Sequence, residues 1–330
     1  MREWAKNAVL ATRALRLGAE VAAPSVAILM YHAVQPDPVK YIDSLGGIIH
    51  SESTFRHQME MLARDYHPIS LGELTSKGRV GDRLSRRSVV VTFDDGYSDN
   101  YDVAMPILNE LGIPATFYAT VDCIENKKLP WPSRLRWTFR KTTQAVWTDS
   151  HGETWNLADS TTREKAYLAA CDDCCRFSGK MQDDFVRRCE RELATSIPSF
   201  LGSLMMSIDQ LKGLLQHGHI VGSHTMTHPN MAHIEKDEAQ TELAESKRRL
   251  ESQLNVSIRH FSYPCPALSP HWSAQTVEQC RALGYDSAVT TTSGVTRLGD
   301  DPLRLKRIHP TKTVAGLRWN LECAFAGRKI

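Results

Sequence analysis

The eleven residues Arg87 to Tyr97, RSVVVTFDDGY, constrain the fold more than any other stretch of the chain. Val89, Val90, Val91 and Phe93 form a short β-rich apolar run with no polar face, the pattern of a strand covered on both sides in a mostly parallel sheet. The run stops at Asp94, Asp95 and Gly96. Asp and Gly are ordinary residues for a strand-ending turn. Two adjacent carboxylates at the end of a buried strand nevertheless repel, so one pKa rises unless a cation sits between them or one carries a proton.

A second constellation lies in Gly222 to Pro229, GSHTMTHP, where His224 and His228 are four residues apart. From a helical turn or a tight loop both imidazoles face one point. Such a pair taken alone is often structural or exposed. Joined to one carboxylate, it makes a three-ligand divalent site with positions open for water and substrate.

The order TFDDG, then SHTMTHP, then a strand at Phe261 to Pro264 resembles the polysaccharide deacetylase family, the carbohydrate esterases (family 4) with a NodB homology domain. The resemblance runs from about Val26 to Pro310 with one long interruption. It implies an α/β fold, a distorted (β/α)7 barrel with a largely helical insertion. It also implies a divalent metal on Asp95, His224 and His228, zinc first, with nickel, cobalt, manganese or iron suited to the same nitrogen and oxygen ligands. Asp94 would be the general base and His309 the acid that protonates the departing amine. Tyr263, a backbone N–H near Cys265, and His32 would line the substrate and oxyanion side. The implied reaction removes an N-acetyl group from an amino sugar of a polysaccharide, glycan or lipid-linked saccharide.

Three departures mark a divergent branch. The usual Leu-x-His becomes Arg307-Ile308-His309. The arginine that often orients the base is replaced in Ser262-Tyr263-Pro264-Cys265-Pro266. The aspartate–tryptophan pair that supports the acid has no counterpart near Tyr285 and Asp286. Deformylation or hydrolysis of a small cyclic amide would use the same parts, and a glycan-binding protein without turnover would keep the pocket. A non-haem iron oxygenase shares the two-histidine, one-carboxylate set, but the adjacent non-ligand Asp94 favours hydrolysis.

At 330 residues the length fits a single barrel with an insertion as well as it fits two domains. A net charge of +2 with 24% charged residues gives no footprint for nucleic acid. The eight cysteines lack a second CxxC, and in a chain this long they read as reduced structural thiols, which favours the cytoplasm. Residues 1–24 carry Trp4, Ala8, Ala11 and Leu15 at helical spacing with Arg2, Lys6, Arg13 and Arg16. They read as an amphipathic helix, packed on the domain or lying on an anionic membrane surface as a peripheral contact, with an export signal as a weaker reading.

Strand and helix signals alternate from residue 25 onward, at Ser25–Tyr31, a helix from near Ser53, Arg87–Phe93, Pro106–Leu111 and Ala115–Thr120, which predicts a parallel sheet. The alternation lapses over about 123–203, an insertion rich in tryptophan and cysteine. It resumes through Ile208 to Leu215, His219–Val221, Ala239–Leu254, Arg259–Tyr263, Ala274–Leu283, Asp286–Thr290 and Leu303–Ile308, for about seven strands in a domain over 25–330. Aromatic rings in the insertion suit packing a small helical subdomain first and stacking on sugars second.

Overall fold

The computed structural model describes residues 24–329 except 38, 81–84, 86 and 298, together with Leu15; over 77–80 it describes the backbone. The expected N-terminal helix therefore falls outside the described residues. Seven strands form the barrel: β1 Ser25–Tyr31, β2 Ser88–Phe93, β3 Ala115–Ala119, β4 Ile220–Ser223, β5 His260–Ser262, β6 Ser287–Ser293 and β7 Leu305–Arg307. Neighbours pair in parallel in that order. The residue after β7 closes the ring on β1, with Ile308 N–H donating to Ile28 O at 2.7 Å and Met30 N–H to Ile308 O at 3.1 Å. The distorted seven-stranded barrel expected from the sequence is what forms.

Side chains alternate across this ring, as the two-residue period of a strand demands. Val26, Ile28, Val90, Tyr118, Val289 and Leu305 pack together inside, above a floor of Ile69, Leu71 and Leu74. Ala27, Leu29, Val89, Val91, Phe93 and Phe117 face the surrounding helices. Burying each such aliphatic or aromatic side chain is worth roughly 1.5–3 kcal/mol, so both faces of β2 bind the strand in place. The same alternation carries His32 and Asp94 toward the interior at the carboxyl ends of β1 and β2. The register pairing Tyr31 with Phe93 puts those two residues side by side.

The helices begin where polar caps predict. Ser51 accepts from Thr54 N–H at the start of Glu52–Asp65, and Ser207 with Gln210 forms a capping box ahead of Ile208–Gln216. Two features were not legible in the sequence: a short parallel pair, Ala33–Gln35 with Ile49–Ser51, and a last helix, Val314–Phe325, packed on Glu52–Asp65.

The insertion carries the helices Trp131–Lys141, Ser160–Cys174 and Gly179–Glu192 and the hairpin Val146–Thr148 with Thr154–Asn156. Trp131, Phe139, Trp147, Tyr167, Cys171, Cys174 and Phe185 share its core. Each tryptophan of the insertion donates its indole N–H within the protein, and Trp131 and Trp147 are buried. Trp131 donates to His228 O, Trp137 to Ser196 O, Trp147 to Glu192 and Trp155 to Asp149. All eight cysteines are free thiols, and only Cys265 is exposed. No described helix is long and apolar enough to cross a membrane.

Candidate active site

The carboxyl ends of the strands surround a cavity of about 360 Å³ that holds Asp94, Asp95, His224, His228, His32, Cys265 and His309. Asp95 and the two histidines come together at its base. His224 Nε2 lies 3.4 Å and His228 Nε2 3.3 Å from Asp95 Oδ1, and all three residues are buried. Their ligand atoms lie within 4.8 Å of one another, the one such cluster among the described residues. His224 Nδ1 is 2.8 Å from Ser262 O, so its N–H points there and Nε2 keeps its lone pair for the centre. Asp95 Oδ1 is buried and makes no hydrogen bond. A buried carboxylate oxygen without a donor, facing two imidazole nitrogens, fits a divalent cation.

The local backbone shows how strongly this cluster is specified. Asp95 (φ 74°), Thr225 (φ 70°) and His228 (φ 63°) all adopt left-handed conformations. Such conformations cost a non-glycine residue roughly 1–2 kcal/mol and persist where the surroundings over-determine them. Here they do. Thr225 O accepts from Val121 N–H, Thr225 Oγ1 accepts from His228 N–H at 2.9 Å, and His228 O accepts from Trp131 Nε1 at 2.9 Å. Glu242, from the helix Lys236–Leu254, accepts from the N–H groups of Met226 and Thr227 at 2.8 and 2.9 Å and from the Thr227 hydroxyl at 2.6 Å. Gly222, which feeds the loop, is required by close approach: a Cβ there would lie 2.5 Å from the Tyr118 ring and 2.8 Å from His260 O.

Asp94 has a different partner. Arg307, on β7 and fully buried inside the barrel, donates from Nη1 to Asp94 Oδ1 at 2.9 Å and from Nη2 to Oδ2 at 2.7 Å. Its other N–H groups reach Thr290 O, Thr92 Oγ1 and Ser262 Oγ, so all five donors of the guanidinium are used. Burial opposes the charge of Asp94, yet Arg307, followed by His224, holds its carboxyl below the usual range. Burial opposes the charge of Asp95 as well, and the two imidazoles hold it well below.

The arginine missing beside Asp94 in the sequence pattern is thus supplied from β7, and the small Ser262 leaves room for it. Arg307 was the residue of the site that the sequence reading missed. The signal was present, because a charged residue in the last strand, two positions before His309, faces the same side.

The remaining expected residues divide. His32 lines the cavity beside Asp94 and Asp95, and burial lowers its pKa. His309 stands at the rim, exposed as a residue but with its imidazole partly desolvated against the cavity wall, and that desolvation, followed by Arg307, lowers its pKa. Cys265 lines the wall, with Sγ 3.0 Å from His271 Nε2, and its N–H makes no hydrogen bond among the described residues. Tyr263 does not belong there. Its side chain is buried outside the cavity, the hydroxyl donating to Leu303 O at 3.2 Å, because the alternation that turns Ser262 inward turns Tyr263 out.

The family model for polysaccharide deacetylase matches residues 81–172 and 193–288, more than half of the chain. A putative polysaccharide deacetylase of Bacillus subtilis, YxkH, is 20% identical over 290 residues, 88% of this chain and 72% of that protein. The Streptococcus pyogenes deacetylase PplD, solved with acetate, superposes with a TM-score of 0.61 at 19% identity, covering 91% of this chain and 99% of that one. IcaB from Ammonifex degensii superposes at 0.58 and 18% identity over 91% and 97%. A barrel of seven parallel strands with acidic and histidine motifs at their carboxyl ends, matched by that family over most of its length, places this chain in the polysaccharide deacetylase family, as a hydrolase of carbohydrate esterase family 4.

Proposed function

We propose that this protein hydrolyses the N-acetyl group of an amino sugar in a polysaccharide, glycan or lipid-linked saccharide, using one divalent cation held by Asp95, His224 and His228. The observation that carries the reading is the division of labour between the adjacent carboxylates: Asp95 is directed at the two imidazoles and Asp94 is clamped by Arg307. The cation, with zinc as first choice for this donor set, supplies polarisation of the amide carbonyl and a water acidified toward neutral pH.

Asp94 takes the water's proton on a carboxylate oxygen. Arg307 keeps that carboxylate ionised and fixed in orientation while it waits for the proton. The oxygen that gains charge as the carbonyl carbon becomes tetrahedral is met by the free N–H of Cys265. His309 at the rim gives a proton to the sugar nitrogen as the C–N bond breaks, releasing acetate and the free amine.

The test is acetate release from N-acetylated glycans and lipid-linked amino sugars by metal-loaded, chelated and Asp94→Asn protein. Release that depends on metal and disappears in the variant supports the reading. No release from protein carrying a full complement of metal refutes it for the acetyl group.

A further inference from the structure

Apart from Asp94 and Asp95, the charged residues that line the cavity are cationic. Among its described lining residues the carboxylates are Asp94 and Asp95, both already engaged at the base, whereas Arg136 and Lys312 stand as cations on the wall. Arg136 comes from the insertion helix Trp131–Lys141 and is a built feature. Its guanidinium lies 4.5 Å over the Tyr167 ring. It also packs against Gly46, a left-handed residue (φ 60°) where a Cβ would come within 2.8 Å of Arg136 Nε. The missing side chain at Gly46 is what admits the guanidinium.

Its hydrogen bond to Glu164 is long, 3.3 Å from Nη1, and Glu164 is shared with Arg140 at 2.8 Å. One carboxylate between two guanidiniums leaves a positive charge, and contacts with Glu164 and Tyr167 leave part of the five N–H groups of Arg136 for a ligand. Lys312 rests on the same wall segment, its ammonium donating to Ile49 O and lying 3.5 Å from His50 Nδ1, with no carboxylate in ion-pair range among the described residues. Gly46 and Ile49 are three residues apart, so these two points of attachment lie within about 11 Å of chain.

We propose that the saccharide taken by this site carries an anionic group, a phosphate or a carboxylate, beside the acetamido sugar, and that Arg136 with Lys312 recognises it. This rests on the amino-sugar deacetylase reading for the acetamido end and adds the charge of the neighbouring unit. A planar guanidinium pinned on an aromatic face presents its remaining donors in the fork that matches either oxyanion, and the entropy lost on binding is small because the side chain is already fixed.

The experiment compares three probes on the full-length, metal-loaded protein: the neutral tetramer of N-acetylglucosamine, a tetrasaccharide alternating N-acetylglucosamine with glucuronate, and N-acetylglucosamine 1-phosphate. Affinity is read by calorimetry and turnover by acetate release. At least one charged probe is expected to bind tenfold or more tighter than the neutral tetramer, since charge-assisted hydrogen bonds are the strong ones. Which probe gains distinguishes carboxylate from phosphate. Arg136→Gln should remove most of that preference, Lys312→Gln part of it, and Arg136→Lys should keep an intermediate share, with melting temperatures confirming that each variant is folded.

Equal affinity for neutral and charged probes, a preference that survives in the Arg136→Gln/Lys312→Gln double variant, or no measurable binding of any probe would each overturn the inference. Acetate release that is equally efficient on the neutral tetramer leaves the deacetylase reading standing and removes this one. An Arg136-dependent preference in binding without acetate release does the reverse.

Discussion

Replacing Arg307 with methionine removes the guanidinium beside Asp94 and keeps most of the volume of the aliphatic stem. In the native protein Arg307 is fully buried, Asp94 is nearly so, and two hydrogen bonds of 2.9 and 2.7 Å join them. Breaking a buried pair by removing one partner leaves an uncompensated charge and costs about 3–5 kcal/mol. A shift of one pKa unit corresponds to 1.36 kcal/mol, so that penalty translates into Asp94 moving up by roughly two to four units, after which it takes a proton.

The sign follows from linkage. In the native protein the Asp94 carboxyl is held below its unfolded value, so its stabilisation is present above roughly pH 4 and is lost as pH falls through the folded pKa. In Arg307→Met burial acts unopposed by the guanidinium, so the stability deficit is smallest in acid and grows as pH rises above about 4. The acid limb of the kcat/KM profile moves to higher pH because the base is protonated over more of the range. Thermal melts between pH 4 and 8 should show a loss of roughly 6–10 °C at neutral pH, at about 2 °C per kcal/mol for a chain of this size.

Asp94→Asn/Arg307→Met should recover part of that loss by removing the stranded charge, and Ser262→Arg/Arg307→Leu returns the guanidinium from β5 and should restore part of the acid limb. A deficit under about 1 kcal/mol that does not change with pH, with the acid limb unmoved, would show that the Asp94–Arg307 pair does not set the state of the base.

Three further outcomes are expected. Zinc at a hundred times its dissociation constant should stabilise the native protein by about 2.7 kcal/mol, read as a rise in melting temperature, and His228→Ala should abolish the rise; an equal rise in the variant would place the ion elsewhere. Glu242→Gln should weaken metal binding roughly 10- to 100-fold, measured by competition with a coloured chelator, because Glu242 ties down the loop between the two histidines from a helix that supplies none of the three clustered residues. Gly222→Ala should destabilise the fold by about 1–3 kcal/mol in denaturant unfolding, since the added methyl meets the Tyr118 ring and His260 O inside contact distance.

Much of the site was legible because it is local. Asp94, Asp95, His224 and His228 sit in two short motifs, each at the end of an apolar run whose composition marks a buried strand, and strand ends in such a barrel converge on one face. The seven barrel strands were legible for the same reason, with β1 found at its observed limits and the others shifted by a residue or a few. The insertion's composition announced a break in the alternation, and two of its tryptophans, Trp131 and Trp147, are buried in its core, whereas Trp137 and Trp155 are half-buried. The reduced state of the cysteines is also what a long chain without a disulfide framework suggests.

What the order of residues determined by itself was therefore the strand–helix alternation, the three residues of the Asp95–His224–His228 cluster and the presence of a second carboxylate beside them. Which group neutralises that carboxylate was decided by closure of the barrel, which brings β7 to Asp94 across 213 positions of chain. Parity decided the rest: one strand turns Ser262 toward Arg307 and Tyr263 into the core, so neighbours in sequence serve opposite faces. The cationic wall, too, exists only in three dimensions, because it is assembled from the insertion, the loop at Gly46 and the segment after β7. Motif chemistry is carried by residues close in sequence, whereas electrostatic balance and pocket shape are set by contacts between distant segments, and only the folded backbone fixes those distances.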